Sequence, residues 1–149
     1  MKKLLIVRHG SYDNDLRLSD NGKREIRKLA EYIKTNSDGY SVLILSSSAL
    51  RASDSAKVMS DILGVGFEKI EEFCNDEHHP RNSSEACEII NTRRNDADVV
   101  IIVTHLEFTL FITNSFLKNL GIRALCKAVG KGEAWQINIE ERTVERIPR

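Results

Sequence analysis

The chain of 149 residues carries 22 lysines and arginines against 22 aspartates and glutamates, so its formal net charge is zero. A hydrophobic fraction of 41% and a charged fraction of 30% are typical of a soluble globular protein, and the length suits a single domain over residues 1–149. Because the chain is neutral and has no polybasic run, we expect neither nucleic acid nor a membrane surface as a partner. The short apolar run after Lys3 predicts no signal peptide or membrane span, and three cysteines without CxxC spacing favour a cytoplasmic protein.

The first half of the chain alternates apolar strands with amphipathic helices. Leu4–Val7 is a short apolar run typical of a strand buried on both faces. A capping serine followed by apolar residues at helical spacing predicts a helix over about Ser19–Thr35. A second buried strand is predicted at Val42–Leu45, followed by a second helix within about Ser48–Gly64. Phe67–Ile70 predicts a weak third strand.

The second half continues this alternation and ends differently. Asn82–Glu85 has the spacing of a capping box and predicts a helix start. Val99–Val103 is an unbroken β-branched run and gives the strongest strand signal in the chain, and an apolar helix is predicted over about Glu107–Leu117. Alternating residues in Trp135–Ile139 predict a strand that pairs with Thr143–Ile147 as a hairpin. The sequence therefore predicts an α/β fold: a three-layer α/β/α sandwich with a mostly parallel central sheet and a C-terminal antiparallel hairpin.

Charged and imidazole side chains follow the three strongest strands. Arg8 and His9 follow the first strand, Arg51 comes shortly after the second, and His105 follows the fourth. Parallel strands carry their C-terminal ends to one edge of a sheet, where ligands bind in open α/β folds, so we expect these four side chains to meet. Guanidinium groups bind phosphate oxygens bidentately, and a histidine can act as a nucleophile. The sequence therefore predicts a phosphoryl-binding site at this edge.

The stretches that carry these residues are similar to those of a known family. Arg8-His9-Gly10, Ser46–Ala52 and Val103–His105 resemble, in order and spacing, the signature stretches of the histidine phosphatase superfamily, which includes phosphoglycerate mutases and acid phosphatases. Leu18–Gly22 looks like the helix start of that family. His105-Leu106 and the closing hairpin are most similar to the short SixA-type phosphohistidine phosphatases. The resemblance covers nearly the whole chain and implies one α/β/α domain of this type.

The resemblance also implies a mechanism. His9 would take the phosphoryl group covalently, Arg8, Arg51 and His105 would bind and stabilise it, and water would then hydrolyse the phosphohistidine. No metal or other cofactor is implied, and the expected substrate is a protein phosphorylated on histidine. A small-molecule phosphomonoesterase or mutase is the alternative among enzymes, and a non-catalytic module that binds a phosphorylated ligand is the alternative from another class. Retention of both histidines argues against the binding module, because binding needs only the arginines and helix N-termini.

The sequence does not decide which residue gives a proton to the leaving group. Many superfamily members use an acidic residue after the third strand, and Glu72 matches that position best, with Glu71, Asp76 and Glu77 as rivals. A solvated acidic surface segment is the simpler interpretation of this run. If the substrate is phosphohistidine, its imidazole leaving group needs less help, and the acid becomes dispensable.

Three other features have structural interpretations. Cys74, His78 and His79 have no standard zinc spacing, so we expect no metal there, and the cysteines should be small buried hydrophobic residues. The aromatic residues of the apolar helix, Phe108, Phe111 and Phe116, should lie in the core. The connections after the first strand and around the third are too short to build a lid of several helices, which predicts an open site.

Overall fold

The computed structural model describes residues 1–74 and 83–148. The strands and helices are, in chain order, β1 (Lys3–Arg8), α1 (Asp20–Asn36), β2 (Val42–Ser47), α2 (Leu50–Leu63), β3 (Phe67–Ile70), a 3-10 helix (Glu71–Phe73), α3 (Ser83–Thr92), β4 (Val99–Thr104), α4 (Leu106–Asn119), β5 (Ala134–Asn138) and β6 (Thr143–Ile147). Every strand predicted from the sequence is present. Asn82, predicted to cap the third helix, lies outside the described residues.

The strands form one sheet in the order β3-β2-β4-β1-β5-β6. Strands β1 and β2 both pair in parallel with β4, and β3 pairs in parallel with β2. Strand β5 is antiparallel to both β1 and β6. The prediction of a mostly parallel sheet with a C-terminal antiparallel hairpin is confirmed. Strand β4 lies between β1 and β2 and is buried along its whole length, as expected for a strand covered on both faces.

Helices cover both faces of the sheet, which confirms the predicted three layers. Along β1, Leu5 and Val7 belong to a buried cluster with the apolar faces of α1 and α2, whereas Leu4 and Ile6 belong to a second cluster with those of α3 and α4. This division follows from the alternation of side chains along a strand. None of the described helices is long and apolar enough to cross a membrane.

The prediction that Phe111 of α4 lies in the core is wrong. Phe108 and Phe116 are buried, but the side chain of Phe111 is 51% exposed. Residues spaced by four share one helix face, so Phe108, Ile112 and Phe116 point into the core and Phe111 lies on a different face. The cysteine prediction is confirmed, since Cys74, Cys87 and Cys126 are buried and form no disulfide among the described residues.

Two motif glycines let the start of α1 pack directly on the loop that follows β1. A Cβ atom at Gly10 would lie 2.8 Å from the Gly22 carbonyl oxygen, and a Cβ at Gly22 would overlap the Ser11 carbonyl oxygen. Ser19 caps α1 by accepting a hydrogen bond from the Gly22 N–H, and its own hydroxyl donates to the Ser11 carbonyl. The absence of both side chains is therefore a packing requirement, and it fixes the backbone next to His9.

Replacing Gly22 with alanine tests this packing. Glycine to alanine in a helix ordinarily stabilises by about 1 kcal/mol. We expect Gly22→Ala instead to lower the free energy of unfolding by about 1–3 kcal/mol, because the new methyl group overlaps the Ser11 backbone. Chemical denaturation measures the change. The matched control is Gly66→Ala, where nothing lies within 4 Å of the added carbon; equal effects of the two substitutions would contradict the packing argument.

Candidate active site

The C-terminal ends of β1, β2 and β4 lie side by side and bring the four predicted site residues together. Arg8 on β1 is in register with Thr104 on β4, and the His9 N–H donates to the Thr104 carbonyl over 3.0 Å. Helices α2 and α4 begin just beyond this edge, so Arg51 and His105 stand opposite His9. The predicted convergence of Arg8, His9, Arg51 and His105 is thus present in the structure.

His9 is a buried histidine with an unprotonated nitrogen directed at Arg51. Its Nδ1 lies 2.9 Å from the Gly10 carbonyl oxygen, which can only accept, so Nδ1 carries the hydrogen. Its Nε2 accepts a hydrogen bond of 3.2 Å from Arg51 Nε. Burial lowers the pKa of His9 from 6.5 to about 3, an effect that the Gly10 carbonyl opposes and the positive charge of Arg51 reinforces. The imidazole is therefore neutral, with its Nε2 lone pair on the Arg51 side.

His105 is held in the complementary tautomer. Its Nδ1 lies 3.3 Å from Arg51 Nη2, and a guanidinium can only donate, so Nδ1 is the unprotonated nitrogen. Nε2 then carries the hydrogen and donates to Ser47 Oγ over 2.8 Å. The His9 and His105 rings meet edge to face, with 5.3 Å between their centroids. One guanidinium thus bridges the two imidazoles.

Arg8 supplies the second guanidinium. Its Nη1 donates to the Val129 carbonyl over 3.1 Å, whereas its Nε is buried and has no hydrogen-bond partner in the described part of the chain. Burial lowers the pKa of Arg8, and among the groups that oppose this shift the charge of Glu107 has the largest effect. An unsatisfied buried donor on a cation is costly, and an anion is the ligand that would satisfy it.

Two serines that the sequence interpretation passed over hold this cluster in place. Ser55 Oγ accepts from the Gly10 N–H over 3.1 Å and donates to the Arg51 carbonyl over 2.7 Å, which ties the loop after β1 to α2. Ser47 Oγ orients His105 and also accepts from the Ala49 N–H. Ser47, at the end of β2, lies in the signature stretch Ser46–Ala52, and Ser55 lies one helical turn after Arg51 on α2; neither was predicted as a site residue.

The rim of the site carries two further residues that were not predicted. The Tyr12 ring packs against the His9 ring with 5.3 Å between centroids, and it is 37% exposed. Lys131 Nζ lies 4.4 Å from the centre of the same Tyr12 ring. Lys131 is far from every signature stretch in the sequence, so no local pattern could have indicated its position.

The predicted proton donor is not part of the cluster described above. Glu72 lies in the 3-10 helix and lines a surface depression with residues of α3, including Glu85 and Glu88. Glu71 is exposed, and the other two candidates, Asp76 and Glu77, lie outside the described residues. The role of Glu72 stays a prediction.

The carboxylate with the largest charge effect on Arg8 is instead Glu107, in the first turn of α4. Glu107 lies two residues after His105 in the sequence and was not predicted as a site residue.

Among residues 1–74 and 83–148 no group of three or more histidine, cysteine or acidic side chains is placed to hold a metal ion. Cys74 is buried, whereas His78 and His79 lie outside the described residues.

The low pKa of His9 predicts a specific pH dependence of stability. As pH falls from 6.5 toward about 3, the unfolded chain takes up the proton on this histidine before the folded protein does, so folding stability decreases. In His9→Asn, whose amide N–H can replace Nδ1 as the donor to Gly10, this loss is absent. We expect the free energy of unfolding of wild type relative to His9→Asn to fall by at most about 1.4 kcal/mol per pH unit in this window and to be constant above it. Urea denaturation at a series of pH values measures the difference; parallel curves throughout would show that His9 is not held neutral.

Comparison with known proteins shows which solved structures share the fold of this chain. No protein-family model matches the sequence, and no curated protein is significantly similar to it. Solved structures do match. The protein histidine phosphatase SixA, solved with tungstate, superposes with a TM-score of 0.79 at 16% identity, over 98% of this chain and 96% of that one. A SixA phosphohistidine phosphatase from Agrobacterium tumefaciens gives 0.71 at 17% identity, over 98% and 95% of the two chains.

A mycobacterial glucosyl-3-phosphoglycerate phosphatase, solved with VO3, gives a TM-score of 0.70 at 13% identity, over 99% of this chain and 97% of that one. These proteins share a fold with this chain although few residues are identical. The resemblance noted in the signature stretches is thereby confirmed at the level of the fold. The chain has the histidine phosphatase fold, with SixA-type phosphatases among its structural neighbours.

Proposed function

We propose that the protein is a phosphatase that hydrolyses a phosphoryl group through a covalent phosphohistidine on His9. The observation that carries the proposal is the neutral, buried His9, whose unprotonated Nε2 faces Arg51 while Nδ1–H is bound to the Gly10 carbonyl. A histidine that only binds phosphate does so as a hydrogen-bond donor. An unprotonated Nε2 is what a nucleophile requires.

The proposed reaction has two steps at Nε2. The phosphoryl oxygens replace His9 Nε2 as acceptors of the Arg51 guanidinium and accept from the unpaired Nε of Arg8. Nε2 then forms a bond to phosphorus while the bond to the leaving group breaks, and the leaving group takes that electron pair. The imidazole becomes positively charged, and the Nδ1–H bond to the Gly10 carbonyl stabilises it. Attack by water on phosphorus returns the electron pair to Nε2 and releases inorganic phosphate.

Charge neutralisation in this scheme comes from side chains. The guanidiniums of Arg8 and Arg51 would bind the phosphoryl oxygens, and His105, fixed by Ser47, contacts both Arg51 and the His9 ring. Preorganised donors of this kind stabilise the charge that develops in phosphoryl transfer. The proposal therefore includes no metal or other cofactor.

We infer that the preferred substrate is phosphohistidine of a protein, in the cytoplasm. Similarity of fold to two SixA phosphatases supports this choice, and so does the rim. Within the described residues, the connection from Gly10 to Ser19 contains an isolated bridge between Tyr12 and Leu18 and no helix. A rim of this kind leaves room for a protein-borne phosphoryl group. A small phosphomonoester is the second candidate, supported by the similar fold of a glucosyl-3-phosphoglycerate phosphatase.

Trapping of the intermediate tests the nucleophile. Wild-type protein quenched during turnover of a radiolabelled substrate should carry an acid-labile, base-stable label that peptide mapping places on His9. His9→Asn should carry none. Label on His105, the other imidazole with a nitrogen toward Arg51, would reverse the assignment.

Turnover in the presence of EDTA should be unchanged; activity lost to EDTA and restored by zinc or magnesium would contradict the metal-free scheme.

A comparison of substrates tests the preferred class. We expect kcat/KM for a histidine-phosphorylated transfer protein to exceed that for 3-phosphoglycerate and sugar phosphates by about 100-fold or more, because a small substrate lacks binding energy remote from the phosphoryl group. Steady-state kinetics with both classes gives the ratio, and wild type must first show turnover of at least one. A small phosphoester hydrolysed far faster than the phosphoprotein would favour the phosphomonoesterase.

A further inference from the structure

The segment from Val129 to Glu133 is bound to the backbone of the two central site residues. The Gly132 N–H lies 3.2 Å from both the Arg8 and the His9 carbonyl oxygens, and the Arg8 N–H donates to the Glu133 carbonyl over 3.0 Å. The Val129 carbonyl accepts from the Arg8 side chain. These hydrogen bonds hold the segment against the edge of the site.

The two glycines in this segment leave one side chain at its centre, that of Lys131. Gly130 lies against Glu133, whose carboxylate would be 2.9 Å from an added Cβ and which accepts from the Gly130 N–H. Gly132 has a φ of +72°, and a Cβ there would lie 2.6 Å from Glu25 Cβ. Gly132 requires glycine, because of its positive φ and the close Glu25 Cβ, whereas at Gly130 only the end of the Glu133 side chain would have to move. Lys131 is the one long side chain between these two glycines.

Lys131 extends over the rim of the site. Its Nζ lies 4.4 Å from the centre of the Tyr12 ring, and the same ring contacts His9 and lies 5.2 Å from Arg51 Cζ. No described carboxylate forms an ion pair with this ammonium. Lys131 is thus separated from the proposed nucleophile by one aromatic ring.

The carboxylates nearest to this loop are engaged elsewhere. Glu133 accepts from Arg146 and from the Gly130 N–H. Glu25 accepts from the N–H and hydroxyl of Ser11 and from the Asn21 amide. Lys131 is half-buried, and a ring face carries no formal charge to neutralise the ammonium, so Lys131 keeps its capacity to bind an anion brought by a ligand.

We propose that Lys131, supported by Tyr12, is a specificity-determining residue that binds a second anionic group of the substrate beside the transferred phosphoryl group. This inference rests on the proposed function, since the first anionic group is the phosphoryl group on His9. The ligand is a carboxylate or phosphate: either an acidic side chain close to the phosphohistidine of a protein, or an acidic substituent of a small phosphoester. Glu107, whose charge acts on Arg8 from α4, would repel such a group and direct it toward the Tyr12 side.

The experiment compares matched substrates on three variants. One pair consists of phosphohistidine peptides with either glutamate or glutamine beside the phosphorylated residue; the other consists of phenyl phosphate and its carboxyphenyl analogue. Lys131→Met keeps the length of the side chain and removes its charge, Lys131→Arg restores the charge, and Lys127→Met, an exposed lysine of the same connection, is the matched control.

We expect the ratio of kcat/KM between the acidic and neutral members of a pair to fall about two- to fivefold in Lys131→Met, as for one exposed ion pair, and to recover in Lys131→Arg. The change should appear in KM and shrink at high salt. The Lys127→Met ratio should equal that of wild type. The pair that responds identifies whether the anion belongs to a peptide or to a small phosphoester.

Two outcomes would overturn the inference. If both members of each pair lose activity equally in Lys131→Met, the lysine acts on folding or chemistry and not on the second anion. If no ratio changes, Lys131 binds nothing beyond the Tyr12 ring. A wild-type protein that hydrolyses none of the four substrates would instead contradict the proposed function, so the two failures are distinguishable.

Discussion

The site depends on one constraint, which is that a guanidinium only donates hydrogen bonds. Arg51 contacts both His9 and His105, so each imidazole must present an unprotonated nitrogen to it. The opposite nitrogen of each ring must then carry a hydrogen and needs an acceptor. The Gly10 carbonyl accepts from one ring and Ser47 Oγ from the other. The tautomers of both histidines therefore follow from the position of a single arginine, and substrate binding would begin by giving that arginine a better acceptor.

The rest of the edge can be understood as support for these few bonds. His9 can stay neutral beside Arg8 and Arg51 only if the backbone of its loop is held in place, and three parts of the chain hold it. The start of α1 packs on it through Gly10 and Gly22, Ser55 binds its N–H from α2, and the segment before β5 binds its carbonyls through Gly132. Burial, which lowers the pKa of His9, and rigidity, which keeps Nε2 directed at Arg51, thus have the same structural origin.

The sequence predicted the sheet and the four converging residues because both depend on local patterns. Apolar runs identify the strands, and parallel pairing alone brings their C-terminal ends to one edge. The missed residues depend on contacts between distant parts of the chain. Lys131 reaches the site only because β5 pairs with β1, and no local pattern contains that information. The prediction for Phe111 was wrong for a different reason: apolar residues of α4 occur on more than one face, so composition alone does not reveal which face is buried.

The position of acidic groups bears on which bond this site is suited to break. In residues 1–74 and 83–148 no carboxylate is hydrogen-bonded to His9, and Glu107 acts on Arg8 from an exposed first turn of α4. An alkoxide leaving group is a strong base and needs a proton as the bond to phosphorus breaks. A phosphorylated imidazole whose other ring nitrogen carries a proton departs as a neutral molecule when the phosphorus–nitrogen bond breaks, so it needs no such donor. Under the proposed function, the described residues of the site, which include two arginines and no carboxylate bonded to His9, favour cleavage of a phosphorus–nitrogen bond over a phosphorus–oxygen bond.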